Sequence, residues 1–183
     1  MALNYQAADP IILGSGELYL GTVTNPEAAT ETEIEAALKN IGAIESGATL
    51  TYKPTIKEVK SANRGTIMRF VSDEEVKFDC GILTWKIDNL ALLAPAAVST
   101  DATTGTKTVK IGNKGMLPVN YLRFIHTKKD GSGTLIVNIS KAQNTSGFKF
   151  SFEKDNPLSV GYEFEALSDA NGNLVEIIET FVD

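Results

Sequence analysis

The chain is short of the residues that do chemistry. Its 183 residues hold one cysteine, Cys80, one histidine, His126, and one tryptophan, Trp85. A single cysteine forbids an intramolecular disulfide. Its place in the alternation Val76, Phe78, Cys80, Ile82 reads as a small buried apolar residue. One histidine and one cysteine fall short of the three or four ligands of a zinc site. A Ser-His-Asp set would have to use His126, which ends the run VNYLRFIHT just before a turn, a place for a packing or surface histidine rather than a base.

Cations and long apolar runs are scarce too. Seventeen Lys and Arg against 23 Asp and Glu leave a net charge of −6. A free-standing nucleic-acid binder needs surplus cations to displace counterions, and this chain has none to spare. No apolar stretch reaches the roughly 18 residues of a membrane span. The opening MALNYQAADP lacks the basic residues and apolar run of a Sec-type signal, so a soluble protein of the cytoplasm that makes it is expected. The GSG at Gly14–Gly16 fits neither a nucleophile elbow nor a phosphate loop. DANGN, Asp169 to Asn173, has glycine fourth rather than sixth and Thr180 at the twelfth position, so it reads as a tight turn and not a calcium loop. Paired carboxylates for glycoside cleavage are not excluded by spacing alone. No metal and no cofactor are expected.

What is present is an ordinary globular mixture, 43% hydrophobic and 22% charged, in a length that suits one domain over 1–183, with 1–15 a candidate N-terminal arm. ELYLGTV reads as a strand. Thr30 and Glu33 form a capping-box pair opening a helix from about Glu31 to Asn40, with Ile34, Leu38 and Ile41 as its stripe and Gly42 as its stop. Ala48 to Lys60 is a strand that Pro54 places at an edge or a bend. SANRG turns it back into TIMRFV, making a long hairpin. Glu75 to Leu83 alternates as a strand, then Ile87, Leu90, Ala91 and Ala94 take a helical period over Lys86 to Ala94, and Pro95 ends it. AAVSTDATTGT reads as a loop before KTVKIG. VNYLRFIHT and TLIVNIS flank an Asp130-Gly131 turn. Phe148, Phe150 and Phe152 alternate as one strand; Val160, Tyr162, Phe164 and Ala166 alternate as the next, and DANGN joins that one to LVEIIE in a hairpin. The sum is a mainly-β (α+β) sandwich or barrel of eight to ten strands with two short helices.

Charge is unevenly spread. Residues 1–50 carry seven acids and one base; 51–72 carry five bases and one acid; 101–149 carry eight bases and two acids; 153–183 carry eight acids and one base. Ordinary solvated faces explain this, and so does self-complementarity. In the second reading the basic hairpin tip KEVKSANRGT, with Lys57, Lys60, Asn63 and Arg64, meets an acidic surface of the next copy, and head-to-tail contacts of that kind build rings or filaments.

The succession GELYLGTV, IGAIESGATLTYKP, the long hairpin, EVKFDCGILTWKIDNLALLA and FKFSFEKDNPLSVGYEFEALSD resembles the major tail protein, or tail tube protein, of long-tailed bacteriophages and related prophages. The likeness runs over roughly 15–182 and lies in the order and character of the elements. It implies a β-sandwich with a flanking helix, six copies in a ring whose inner sheets join into one barrel, and rings stacked into a tube that passes DNA without holding it. Loops, the hairpin and the terminal arms would link neighbours. It further implies tape measure, tail terminator and distal tail proteins as partners, and a virion location after assembly in the bacterial host's cytoplasm. Tubes of contractile tails and of type VI secretion share this architecture. The rival readings are a carbohydrate-binding or adhesin-like β-sandwich, for which only Trp85 offers an aromatic platform, and a small hydrolase, which the lone histidine makes poor.

Overall fold

The computed structural model describes residues 16–83, 86–112, 115–129, 131, 133–150, 154 and 160–181. The candidate arm at 1–15, with Trp85, Asp130 and Phe152, lies outside them. Along the described residues run β1 (Glu17–Gly21), α1 (Glu31–Ala37), β2 (Lys39–Gly42), β3 (Ile44–Ser61) and β4 (Gly65–Ile82). A 3-10 turn at Ile87–Asn89 then leads into α2 (Leu90–Leu93). After it come β5 (Ala96–Asp101), β6 (Thr106–Ile111), β7 (Asn120–Thr127), β8 (Gly133–Asn144), β9 (Val160–Ala166) and β10 (Glu176–Phe181).

The mainly-β class read from the sequence is what folds, as one large antiparallel sheet in the order β2-β1-β7-β8-β9-β4-β3, with β10 added to β8. β2 and β3 lie at opposite ends of that order, yet only Ala43 separates them in the chain. One kinked strand therefore closes the sheet into a barrel. Gly42 and Gly47 make the corner, with φ of +134° and +108° that a side chain would strain. The Leu83 N–H donates to the Ala43 carbonyl at 2.9 Å across the closure. The Phe78 and Phe124 rings give the same result. In a flat sheet β4 and β7, three strands apart, would sit about 14 Å from each other at ~4.8 Å per strand, but the ring centroids are 5.4 Å apart. The interior is the alternating set Leu18 and Leu20, Val76 and Phe78, Leu122, Ile139 and Phe164.

Several elements differ from the sequence reading. The capping box on α1 is present, with Thr30 and Glu33 bonded reciprocally, but the helix ends at Ala37 and Leu38 is already extended. α1 lies directly over β1, where a Cβ at Gly21 would come within 2.2 Å of the Ala37 carbonyl oxygen. The free edge of β1 then recruits Lys39–Gly42 as a strand, so Ile41 is buried from β2 and not from a helix. AAVSTD is strand β5, paired with β6 in a separate two-stranded sheet. Phe148 and Phe150 are not in a strand: the far edge of β8 is already shared between β9 and β10. Their rings instead stack at 4.9 Å against the core. The Asp169–Asn173 turn forms, yet β10 pairs with β8 rather than completing a hairpin with β9.

The Lys86–Ala94 helix is shorter than its periodicity suggests, a 3-10 turn and one α turn. Leu90 and Leu93 are buried within the chain itself, while Ile87 and Leu92 stay half-buried. Its open carbonyls are met by amide side chains from the barrel. Asn120 Nδ2 donates to the Leu92 carbonyl at 2.5 Å, and Asn144 Nδ2 to those of Leu93 at 3.1 Å and Gly147 at 2.9 Å. Asn144→Ala leaves the buried Leu93 carbonyl without this donor, while Gly147 still accepts from Ser146 Oγ at 3.4 Å. The expected cost is about 1–3 kcal/mol, read as a lowered midpoint in urea unfolding.

Candidate self-assembly interface

The feature that stands apart from the barrel is the β3–β4 hairpin. Pairing runs from Ala48 opposite Cys80 out to Ser61 opposite Gly65. β9 covers β4 only along Lys77–Ile82. Beyond Val76 the two strands have, among the described residues, only each other. At ~3.3 Å per residue, the ribbon from Val76 to Gly65 projects about 35 Å. Pro54 sits on an edge strand, as its missing N–H requires. Gly65 supplies the +71° φ of the tip turn. Two register shifts, at Thr55/Ile56 and Val59/Lys60, each leave one extra residue on β4, Ser72 and Ile67 respectively.

Residues directly opposite one another share a face. One face carries Tyr52 with Val76, Pro54 with Glu74, Ile56 with Val71, Glu58 with Arg69, and Lys60 with Thr66. The other carries Lys57 with Phe70 and Val59 with Met68. Tyr52, Ile56 and Val71 on the first face are exposed, and so are Val59, Met68 and Phe70 on the second, with Ile67 in the bulge. A two-stranded ribbon with bare apolar side chains on both faces, and with no partner on either edge among the described residues, is marginal in water. It is also an open template for another chain.

The four residues singled out in the sequence do lie on this hairpin, but not as one patch. Lys60 Nζ sits 3.0 Å from Glu58, which also accepts from Arg69 Nε at 2.7 Å. The Arg69 bond first, then Lys60, hold the Glu58 carboxyl below the usual range. Lys57 is on the opposite face, across from Phe70. Asn63, whose Oδ1 accepts from Ser61 Oγ at 2.6 Å, and Arg64 form the exposed tip. Sequence reasoning weighted the cations and missed the apolar residues between them. The signal was there: IKEVK and TIMRFV place large apolar residues on both parities of a strand, a pattern of strands covered on both sides.

At the hairpin's base, Lys77 Nζ lies 2.9 Å from Glu75, 3.2 Å from Glu163 and 2.9 Å from Glu165. Its ammonium is held well above the ordinary range, by Glu75 most, then Glu165 and Glu163. This clamp joins β4 to β9 where the ribbon leaves the barrel.

The residues considered for chemistry are placed elsewhere. His126 is buried in β7 opposite Leu135. Cys80 is buried, and burial, then Asp79, pushes its thiol up to about 12. Among the described residues no cluster of three or more His, Cys, Asp or Glu is set to hold a metal ion. A cleft of about 410 Å³ between Glu27, Asp169 and Glu176 is polar, and its carboxylates are engaged by the chain itself. Glu27 meets Lys141 at 2.5 Å, Asp169 accepts the N–H groups of Asn171 and Asn173, and Glu176 accepts from Asn138. No described helix is long and apolar enough to cross a membrane. No family model matches the chain, and no curated protein matches it.

Proposed function

We propose that the chain is a structural subunit without catalysis that assembles with itself into stacked rings, a tube protein of the bacteriophage tail kind. The observation that carries this reading is the hairpin, a ribbon of about 35 Å at ~3.3 Å per residue with bare apolar side chains on both faces and, among the described residues, no partner on either edge. Such a surface is stable when neighbouring copies cover it, and head-to-tail covering propagates into rings or filaments. The sequence resemblance points the same way, and implies hexameric rings, tape measure, terminator and distal tail proteins as partners, and a place in the virion. The net charge of −6 suits a conduit for DNA, which must not bind what it passes. A sugar-binding module is less well supported: the exposed aromatics Tyr52 and Phe70 lie on opposite faces of the ribbon and form no platform.

Electron microscopy of the purified protein at high concentration tests the reading, with rings or tubes expected. A strict monomer at every concentration and salt defeats it. Reversing Lys57, Lys60 and Arg64 to glutamate is expected to raise the concentration needed for assembly by about tenfold, since charge fixes register and encounter. Thermal melting should be unchanged, because these side chains are exposed. Unchanged polymerisation would show that these cations are outside the contact.

A further inference from the structure

A second bare strand lies on the body of the molecule. β10 pairs with β8 along Glu176–Phe181, and no ladder lies on its other edge among the described residues. Both its faces are open, with Ile177 56% and Ile178 37% exposed. Its sequence there is Glu-Ile-Ile-Glu. The free edge of β3 reads Lys57-Glu58-Val59-Lys60, a cation at each end to match the glutamate at each end of the β10 run, with the inner Glu58 engaged by Arg69 and Lys60 of its own hairpin.

The two edges of the hairpin are not equivalent. Both bulges put their extra residue on β4, which breaks its outer edge at Ser72 and again at Ile67. Bulges of this kind blunt an edge against pairing. β3 keeps regular alternation from Thr55 to Ser61, so it is the edge able to take a partner strand.

We propose that the β3 edge of one copy's hairpin adds to the outer edge of β10 on the next copy, antiparallel, with Lys57, Val59 and Lys60 opposite Glu179, Ile177 and Glu176. This contact rests on the self-assembly reading and specifies the surface that receives the hairpin. Every ladder among the described residues is antiparallel, the commoner mode of pairing. Strand addition draws its affinity from the backbone, and the side chains set the register. Glu179 already meets Lys128, and Glu176 meets Asn138, yet both carboxylates are on the exposed strand and accept more than one donor. The pair Val59 and Ile177 lies between the two ion pairs and covers apolar surface that each copy alone leaves wet.

Cysteine cross-linking tests this. Val59→Cys and Ile177→Cys proteins, mixed under assembly conditions and oxidised, are expected to give a disulfide-linked heterodimer as the main product. Directly opposed strand residues lie at a separation a disulfide can bridge. The native Cys80 thiol is buried and stays out of the exchange. Val59→Cys mixed with Ile178→Cys should give less than about a tenth as much, since Ile178 points to the other face. Dominance of that second product overturns the antiparallel register. Rings or tubes that form with neither cross-link overturn the β10 contact and leave self-assembly standing; a protein that never assembles overturns both. A charge exchange gives an independent readout. Lys60→Glu alone and Glu176→Lys alone should each slow assembly about tenfold, and the two together should recover to within about threefold of the native rate. Failure of the double variant to recover overturns the pairing of these two residues.

Discussion

Aspartate at Met68 and Phe70 yields a folded protein that no longer assembles. Both side chains stand on the hairpin, across from Val59 and Lys57, well beyond the last residue of β4 that β9 covers. They are 54% and 46% exposed in the single chain. Making a wet residue polar changes folding stability little, usually within about 0.5 kcal/mol, so the far-ultraviolet spectrum and melting temperature should match the native protein. Assembly is a different matter. Covering the still-exposed half of each side chain is worth about 1 kcal/mol, half of what full burial gives. An aspartate in the same place instead forces a charge out of water with no partner, which is far more costly. Every subunit in a ring carries the defect, so the effect multiplies around the circle. Sedimentation and negative-stain microscopy should show monomers at concentrations where, on the proposed function, native protein forms rings or tubes. Assembly at the native concentration would mean that this face of the ribbon stays bare in the assembled state.

The two faces of β4 explain what could be read from the sequence. From Val76 to Ile82 buried and half-buried positions alternate strictly, so the strand and its core-facing residues were legible. The barrel interior was legible for the same reason in Leu18 and Leu20, and in Tyr162 and Phe164. Past Val76 the alternation stops carrying information, because none of the described residues lies over either face. On the self-assembly proposal, the apolar residues there answer to a surface of a neighbouring copy. Charge was the visible signal at the tip, and it led to Lys57 and Lys60 while hiding Val59, Met68 and Phe70. Pairing partners were the least legible feature. The Phe148–Phe150 alternation predicted a strand, but a strand needs a vacant edge, and β8 had none. The Ile34–Leu38–Ile41 stripe looked helical because Ile41 is buried in either structure; competition from the open edge of β1 decided it. Closure through β2 and β3 was invisible, since it depends on one kink between two strands that pair with opposite ends of the sheet.

Phe78→Ala should remove much of the protein's stability, and its comparison with Phe70 on the same strand separates core from surface. Phe78 is 1% exposed. It lies opposite Leu50 on β3 and Phe164 on β9, and its ring meets Phe124 of β7 across the barrel. Truncation takes away the ring's burial and leaves a cavity between strands that the closure holds apart, so the surroundings relax only in part. The expected loss is about 3–5 kcal/mol, set against a total of about 5–15 kcal/mol for a domain. Urea unfolding of the unassembled protein should show the midpoint falling sharply. Phe70→Ala, eight residues earlier and outside the barrel, should move that midpoint hardly at all while weakening assembly. The two variants thus move opposite observables, one the unfolding midpoint and one the assembly threshold. If Phe78→Ala cost no more than a surface change, the Phe78–Phe124 contact would not be closing anything. The sheet would then be open in solution, and the hairpin would have no rigid base from which to reach a neighbour.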